Sequence, residues 1–285
     1  MPTRPEEQMR ERLRVLTLNC WNVSEPYAAR LAAIRAGIEA LQPDLIGLQE
    51  IVVRRDGFDQ GAEIVTGFDY HTVYGPAFRW NESSRVLSHD SDGDAFGNLI
   101  ASRWPIRRSQ VFPLPGAESG ERRSAIASSI EAPFGSIAFV GAHLNWKFHH
   151  GAVRERQVLA LADLVREWAR DSDFPPVVVG DLNAEPDSNE VRFLCGLATI
   201  DGRSAYFQDA WHVAGDGPGF TWDNRNPFAA IMYEPNRRID YILVGPADPL
   251  CNGRGWIEAA HLALDQPIDG VFPSDHFGVV ADIRI

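Results

Sequence analysis

The chain has 285 residues, 45% of them apolar and 23% charged, an ordinary globular balance that excludes a low-complexity or collagen-like polypeptide and allows a well-buried core. Its net charge of −12 gives no strong nucleic-acid-binding signal, because such binding draws on Lys and Arg at phosphates, although an acidic chain can still carry a local basic groove. Three cysteines, Cys20, Cys195 and Cys251, stand far apart without CxxC or Cys/His spacing, which argues against a disulfide framework and against a structural zinc site.

Residues 1–13 read as an N-terminal extension without an apolar h-region, and no run reaches the roughly 20 apolar residues of a membrane span. A cytoplasmic monomer without a membrane span is the default expectation. RVLTLNCW (14–21) reads as a buried strand. Ser24 and Pro26 then open a helix with Leu31, Ile34, Ile38 and Leu41 at helical spacing, and Pro43 stops it. DLIGLQEI (44–51) is a second strand, which makes a βαβ-like opening. Residues 52–95 read as loop-rich, with strand-like pieces such as YHTVYG (70–75). HDSDGD (89–94) imitates a calcium loop, but its glycine is misplaced and Ala101 stands where the closing Glu is required; it reads as a solvated loop.

FGNLIASRWPI (96–106), SAIASSIEA (124–132) and SIAFVGAHLN (136–145) are three further strands, the last two joined by a turn at Pro133–Gly135. A helix over 152–170 places Val158, Leu161, Ala162, Val165 and Ala169 on one face. Pro175 and Pro176 precede a strand in VVVGDLN, and RRIDYILVG (237–245) and HFGVVADIRI (276–285) are the last strands. No Pro/Gly-rich linker divides the chain, so residues 1–285 are expected to form one domain.

Strand ends are where α/β proteins place ligand groups. Here they bring Asn19, Glu50, His143 with Asn145, and Asp181 with Asn183, while Asp240 lies at a strand start or middle and Asp275–His276 precedes the last strand. Taken singly, an Asn there caps a turn, a Glu marks the surface and a His packs against its neighbours. Five apolar strands delivering such groups at the same kind of position is harder to attribute to capping alone. Converging carboxylates repel by roughly 4 kcal/mol per pair at about 4 Å and an effective dielectric near 20. They therefore call for a compensating cation or for shifted pKa values; all-oxygen ligands suit a hard ion, Mg²⁺ or Mn²⁺, and with imidazoles and carboxamides they fit metal-assisted phosphoryl hydrolysis.

LTLNCW, PDLIGLQE, FGNLIASRWPI, GAHLN, VVVGDLNAEP, RRIDYIL and SDHFGV resemble, in order, the successive motifs of the endonuclease/exonuclease/phosphatase superfamily, from about residue 14 to the C-terminus. The resemblance implies a four-layered α/β sandwich, two packed mixed β-sheets flanked by helices. It also implies roles: Glu50 as principal metal ligand, with Asn19 and Asp275 beside the metal; Asp181 orienting or deprotonating water; Asn183 on a phosphoryl oxygen. His276 would contact the scissile phosphate with its tautomer set by Asp240, and His143 would stabilise the phosphate or help protonate the leaving oxygen. The residue orienting His143 stays unassigned, with Glu82 among the candidates. His143 matches deoxyribonucleases and sphingomyelinases more than abasic-site enzymes.

Fold and core motifs do not name the substrate. Trp146, Lys147, Trp222, Arg225 and Asn226 are the candidate substrate-binding residues, as aromatic and basic groups near the site, with loop packing as the alternative for each Trp. The expected partner is a small or lipid-derived phosphate ester. The alternatives are a DNA or RNA endonuclease, and a non-catalytic phosphate-ligand-binding protein on the same fold.

Overall fold

The computed structural model describes residues 12–81, 86–88 and 93–285. Alternation along the strands builds two sheets, because successive side chains point to opposite faces. β1 (Arg12–Asn19), β2 (Leu45–Val53), β3 (His71–Asn81), β4 (Val86–Ser88) and β5 (Asp94–Ser102) belong to the first sheet. The second holds β6 (Ile106–Pro113), β7 (Ser124–Ala132), β8 (Gly135–His143), β9 (Phe174–Asp181), β10 (Gln208–Asp209) and β11 (Asp240–Val244). β12 (Ile257–Ala263) and β13 (Gly278–Arg284) return to the first. The orders are β12-β13-β1-β2-β5-β3-β4 and β10-β11-β9-β8-β7-β6. β1 with β2 and β8 with β9 are parallel pairs among antiparallel neighbours, so both sheets are mixed.

Val15, Leu45 and Ile100 of the first sheet meet Phe139, Val177, Val179 and Ile242 of the second in one buried core. Val178, between two inward valines, turns to the other face and packs under α3 (Gly151–Trp168) with Val158, Leu161 and Val165. On the outer face of the first sheet, Leu16 and Leu18 pack against Ile34 and Ile38 of α1 (Tyr27–Leu41) and Ile64 of α2 (Gln60–Val65). Helix, sheet, sheet and helix therefore form the four layers that the resemblance implies.

Several elements differ from expectation. β1 starts at Arg12 and Leu13 is buried, so the extension is shorter than 1–13; the remainder lies outside the described residues. The stretch 96–106 is not one strand: β5 ends at Ser102 and the chain bends into β6, where Arg107, Arg108, Ser109 and Gln110 are exposed, hiding the strand from any apolar pattern. Within the loop-rich reading lie α2, capped by the Asp59 side chain on Ala62 N–H, and the long β3, whose register shifts between Pro76 and Phe78. Residues 82–85 and 89–92, including Glu82 and most of HDSDGD, lie outside the described residues. Pro175 and Pro176 sit inside β9, beside the register shift between Ile137 and Phe139, where missing N–H groups are tolerated. β12 is a strand that sequence reading missed.

Candidate active site

Three adjacent strands of the second sheet place their functional groups side by side. His143, the last residue of β8, is the register partner of Asp181, the last of β9, and Asp181 is the partner of Asp240, the first of β11. Close approach of β8 and β9 needs Gly180: its φ is 150°, and a Cβ there would meet the Ala142 carbonyl oxygen at 1.8 Å. From the first sheet come Asn19, at the end of β1, and Glu50. Contrary to expectation, Glu50 does not close its strand. It sits inside β2 at the register shift between Leu48 and Ile51 with φ of 59°; the bulge, a device that re-aims a side chain, accounts for its direction into the cleft. Asp275 and His276 arrive on the segment before β13.

Asn19, Glu50, His143, Asp181, Asp275 and His276 line one cleft of about 510 Å³, with Asp240 outside its lining. At its floor Asp181 Oδ2 accepts from Asn19 Nδ2 at 3.0 Å and lies 3.3 Å from His143 Nε2 and 3.9 Å from His276 Nε2. Its Oδ1 accepts the Asn183 backbone N–H at 2.8 Å. Asn183 therefore reaches the cleft through an Asx turn with φ of 49°, beyond the end of β9. Burial pushes the Asp181 carboxyl up, but the His143 and His276 imidazoles and the Asn19 amide outweigh it and hold it below the ordinary carboxylate range.

Behind His276, Nδ1 meets Asp240 Oδ2 at 2.8 Å, and the Trp222 ring stands edge-on at 5.1 Å. Burial opposes the imidazolium, yet Asp240, reinforced by Asp181 and Asp275, raises His276 to about 10. Burial also raises Asp240, whose Oδ1 has no hydrogen-bond partner. Asp275, buried and repelled by Glu50, is raised to about 7. Glu50 accepts from Asn22 Nδ2 at 3.1 Å.

The donor set suits a hard divalent cation: Glu50, Asp275 and Asn19 line the same cleft, and Asp275 is raised first by burial and then by Glu50, a repulsion that a cation would relieve. A carboxyl raised on folding favours the folded state fully below its unfolded value of 3.8 and loses that contribution as pH rises through about 7. Mg²⁺ requires the carboxylate form. The Mg²⁺-induced rise in melting temperature is therefore expected to be larger at pH 8 than at pH 5, as measured by calorimetry against EDTA-treated protein. A shift that is equal at both pH values, or larger at pH 5, would remove Asp275 from the cation site.

The rim candidates separate. Trp146 and Trp222 line the cleft; Trp146 is half exposed, whereas Trp222 is buried against His276. Lys147, Arg225 and Asn226 are not among the lining residues. Lys147 Nζ lies 3.8 Å from Glu121. Arg225 pairs with Asp223 at 2.9 Å and stacks on Phe277. The buried Asn226 donates to Ser274 O and caps the helical turn Pro227–Ala230. Sequence reading passed over Glu121, Arg122, Arg237 and the apolar wall of Phe228, Ile231 and Met232, because loop residues carry no periodic signal. It also passed over Arg30, a fully buried guanidinium that clamps the carbonyls of Cys20, Trp21 and Asn22 and so fixes the turn after Asn19.

Carboxylates, carboxamides and two imidazoles thus gather in one cleft of a four-layered sandwich. The sequence matches the model of the Endonuclease/Exonuclease/phosphatase family over residues 16–276, and the chain belongs to that family. Its members are typically hydrolases of phosphoester bonds and generally depend on divalent metal, and Asp181, Asp240 and His276 bring ligand-type atoms within 4.8 Å of one another. Exodeoxyribonuclease III of Haemophilus influenzae is 27% identical over 171 residues, 57% of this chain and 56% of that protein, so the match spans little more than half of that relative. D. rerio TDP2 complexed with single-strand DNA product superposes with a TM-score of 0.74 at 17% identity, covering 97% of this chain and 100% of the other. The human nocturnin catalytic domain with bound sulfate gives 0.64 at 22%, covering 96% and 93%. The expectation, from net charge, of no nucleic-acid signal is not borne out, since the chain is similar in sequence to an exodeoxyribonuclease. No helix among the described residues is long and apolar enough to cross a membrane.

Proposed function

We propose that this protein hydrolyses a phosphodiester or phosphomonoester, small or lipid-derived, with Mg²⁺ or Mn²⁺ held by Glu50, Asp275 and Asn19. The observation that carries the reading is Asp181, gripped by Asn19, His143 and Asn183 at the floor of the cleft that also holds Glu50 and Asp275. The cation, when bound, supplies Lewis-acid polarisation of a phosphoryl oxygen.

Asp181, kept ionised, orients the attacking water and accepts its proton. Asn183, fixed by its bond to Leu144 O, and His276, an imidazolium braced by Asp240, stabilise charge that grows on the phosphoryl oxygens in the transition state. His143 adds a further donor at the same point. Attack is in line and needs no covalent enzyme intermediate. Trp146 is the aromatic candidate for the substituents of the ester, beside Phe228, Ile231 and Met232; the cleft volume fits one ester with its adjoining groups. Arg225, Asn226 and Lys147 stand outside that contact set, and the buried Trp222 acts on substrate through His276.

A second reading, a nuclease, is favoured by the similarity to TDP2 with a DNA product and by apolar walls that suit unstacked bases. Turnover of bis-aryl phosphate, aryl monophosphate, sphingomyelin and supercoiled or single-stranded DNA, each with Mg²⁺, Mn²⁺ or EDTA, tests both. We expect small-ester hydrolysis that is lost in EDTA. DNA cleavage far faster than every small ester selects the nuclease, and turnover that survives EDTA removes the metal.

A further inference from the structure

The two imidazoles that face Asp181 Oδ2 have opposite partners at their other nitrogens. Behind His276 stands a carboxylate, Asp240. At the other ring nitrogen of His143 stands a guanidinium, which also lines the cleft: Arg123 Nη1 lies 3.2 Å from His143 Nδ1. An arginine has only donors and does not deprotonate in proteins, so His143 Nδ1 must accept, and the ring proton must sit on Nε2. That nitrogen is the one 3.3 Å from Asp181, where a proton makes a hydrogen bond and its absence would set two acceptors against each other.

Arg123 is itself held. It is 8% exposed, and its Nη2 donates to Glu121 Oε2 at 3.4 Å. The same carboxylate oxygen accepts the Trp146 backbone N–H at 3.2 Å, and its other oxygen lies 3.4 Å from His150. Glu121 thus ties the segment before β7 to the loop after β8, with Arg123 braced between that carboxylate and His143.

We infer that Arg123, braced by Glu121, is a positioning residue that fixes His143 in its Nε2–H form and aims that donor at Asp181 and the reacting phosphoryl group. This rests on the hydrolase reading only for its catalytic consequence; the arrangement of proton and guanidinium stands apart from it. It gives His143 and His276 different duties: His276 carries charge, whereas His143 is a donor of fixed direction.

Protein labelled with ¹⁵N-histidine tests the arrangement without any substrate. Long-range ¹H–¹⁵N correlation distinguishes protonated from bare ring nitrogens, and His143 is identified by the signals lost in His143→Ala. We expect bare Nδ1 and protonated Nε2 in the wild type with Mg²⁺ and with EDTA, and a rise of the Nδ1–H form in Arg123→Met. A protonated Nδ1 in the wild type, or an unchanged tautomer in Arg123→Met, overturns the inference.

The catalytic consequence is read by a double-mutant cycle. Arg123→Met is expected to lower kcat by about 10–100-fold with KM nearly constant, Arg123→Lys to recover part of it, and Arg123→Met in a His143→Ala background to cost less than about threefold. Equal losses in both backgrounds, or a loss confined to KM, would make Arg123 a direct substrate ligand or a structural residue. Should no ester be turned over by the wild type, the hydrolase reading falls, while the tautomer measurement still decides the role of Arg123.

Discussion

Asp181→Asn is expected to lower kcat for phosphoester hydrolysis by about 10²–10⁴-fold, with a much smaller change in KM. The substitution keeps the shape of the side chain and can still accept the Asn183 N–H. What it removes is the acceptor at Oδ2: an amide nitrogen there would face Asn19 Nδ2 at 3.0 Å and His143 Nε2 at 3.3 Å, donor against donor. A carboxyl held low by its neighbours contributes stability that is present above its unfolded value of 3.8 and is lost as pH falls through its folded value. The variant should therefore also lose about 1–3 kcal/mol at neutral pH through unpaired buried donors. Rate and stability are separable, because assays well below the lowered melting temperature read only folded protein. A kcat within tenfold of the wild type would remove Asp181 from the chemistry.

The site was legible in the sequence where it lies on strand ends, since an apolar run closed by one polar residue is a local pattern. His143 and Asp181 were read that way and Asp240 from the start of the RRIDYIL strand, and the register of β8, β9 and β11 explains their convergence. Glu50 was found for a reason the structure does not share: a bulge and a left-handed φ, not a strand end, direct it. Arg123 and Glu121 were not legible as a pair beside His143, because their partnership depends on two loops meeting across 20 or more positions. The fold was legible in its buried strands, whose inner and outer faces are set by alternation, as with Val177, Val178 and Val179. It was not legible in β6 and β12, where exposed polar positions interrupt the pattern.

Asp240→Asn is expected to separate stability from function. In the folded protein Asp240 is raised by burial and by the facing Asp181, so its charge costs stability once pH exceeds its unfolded value of 3.8. His276 is raised to about 10 chiefly because Asp240 outweighs its burial; that gain is full below the unfolded value of 6.5 and fades as pH rises through about 10. With an amide at 240 the imidazole loses the partner that keeps it charged and can rest neutral, so no uncompensated buried charge remains. Melting temperature at pH 8 should hold or rise. Activity should fall by about 10²–10⁴-fold, because an amide can donate to Nδ1 as readily as accept from it, and a wrong tautomer turns Nε2–H, the donor to the phosphoryl oxygen, into an acceptor. Calorimetry and kcat measured on the same preparations decide the matter. A lowered melting temperature with kcat unchanged would make the His276–Asp240 pair a structural device, and His276 would then have to leave the proposed mechanism.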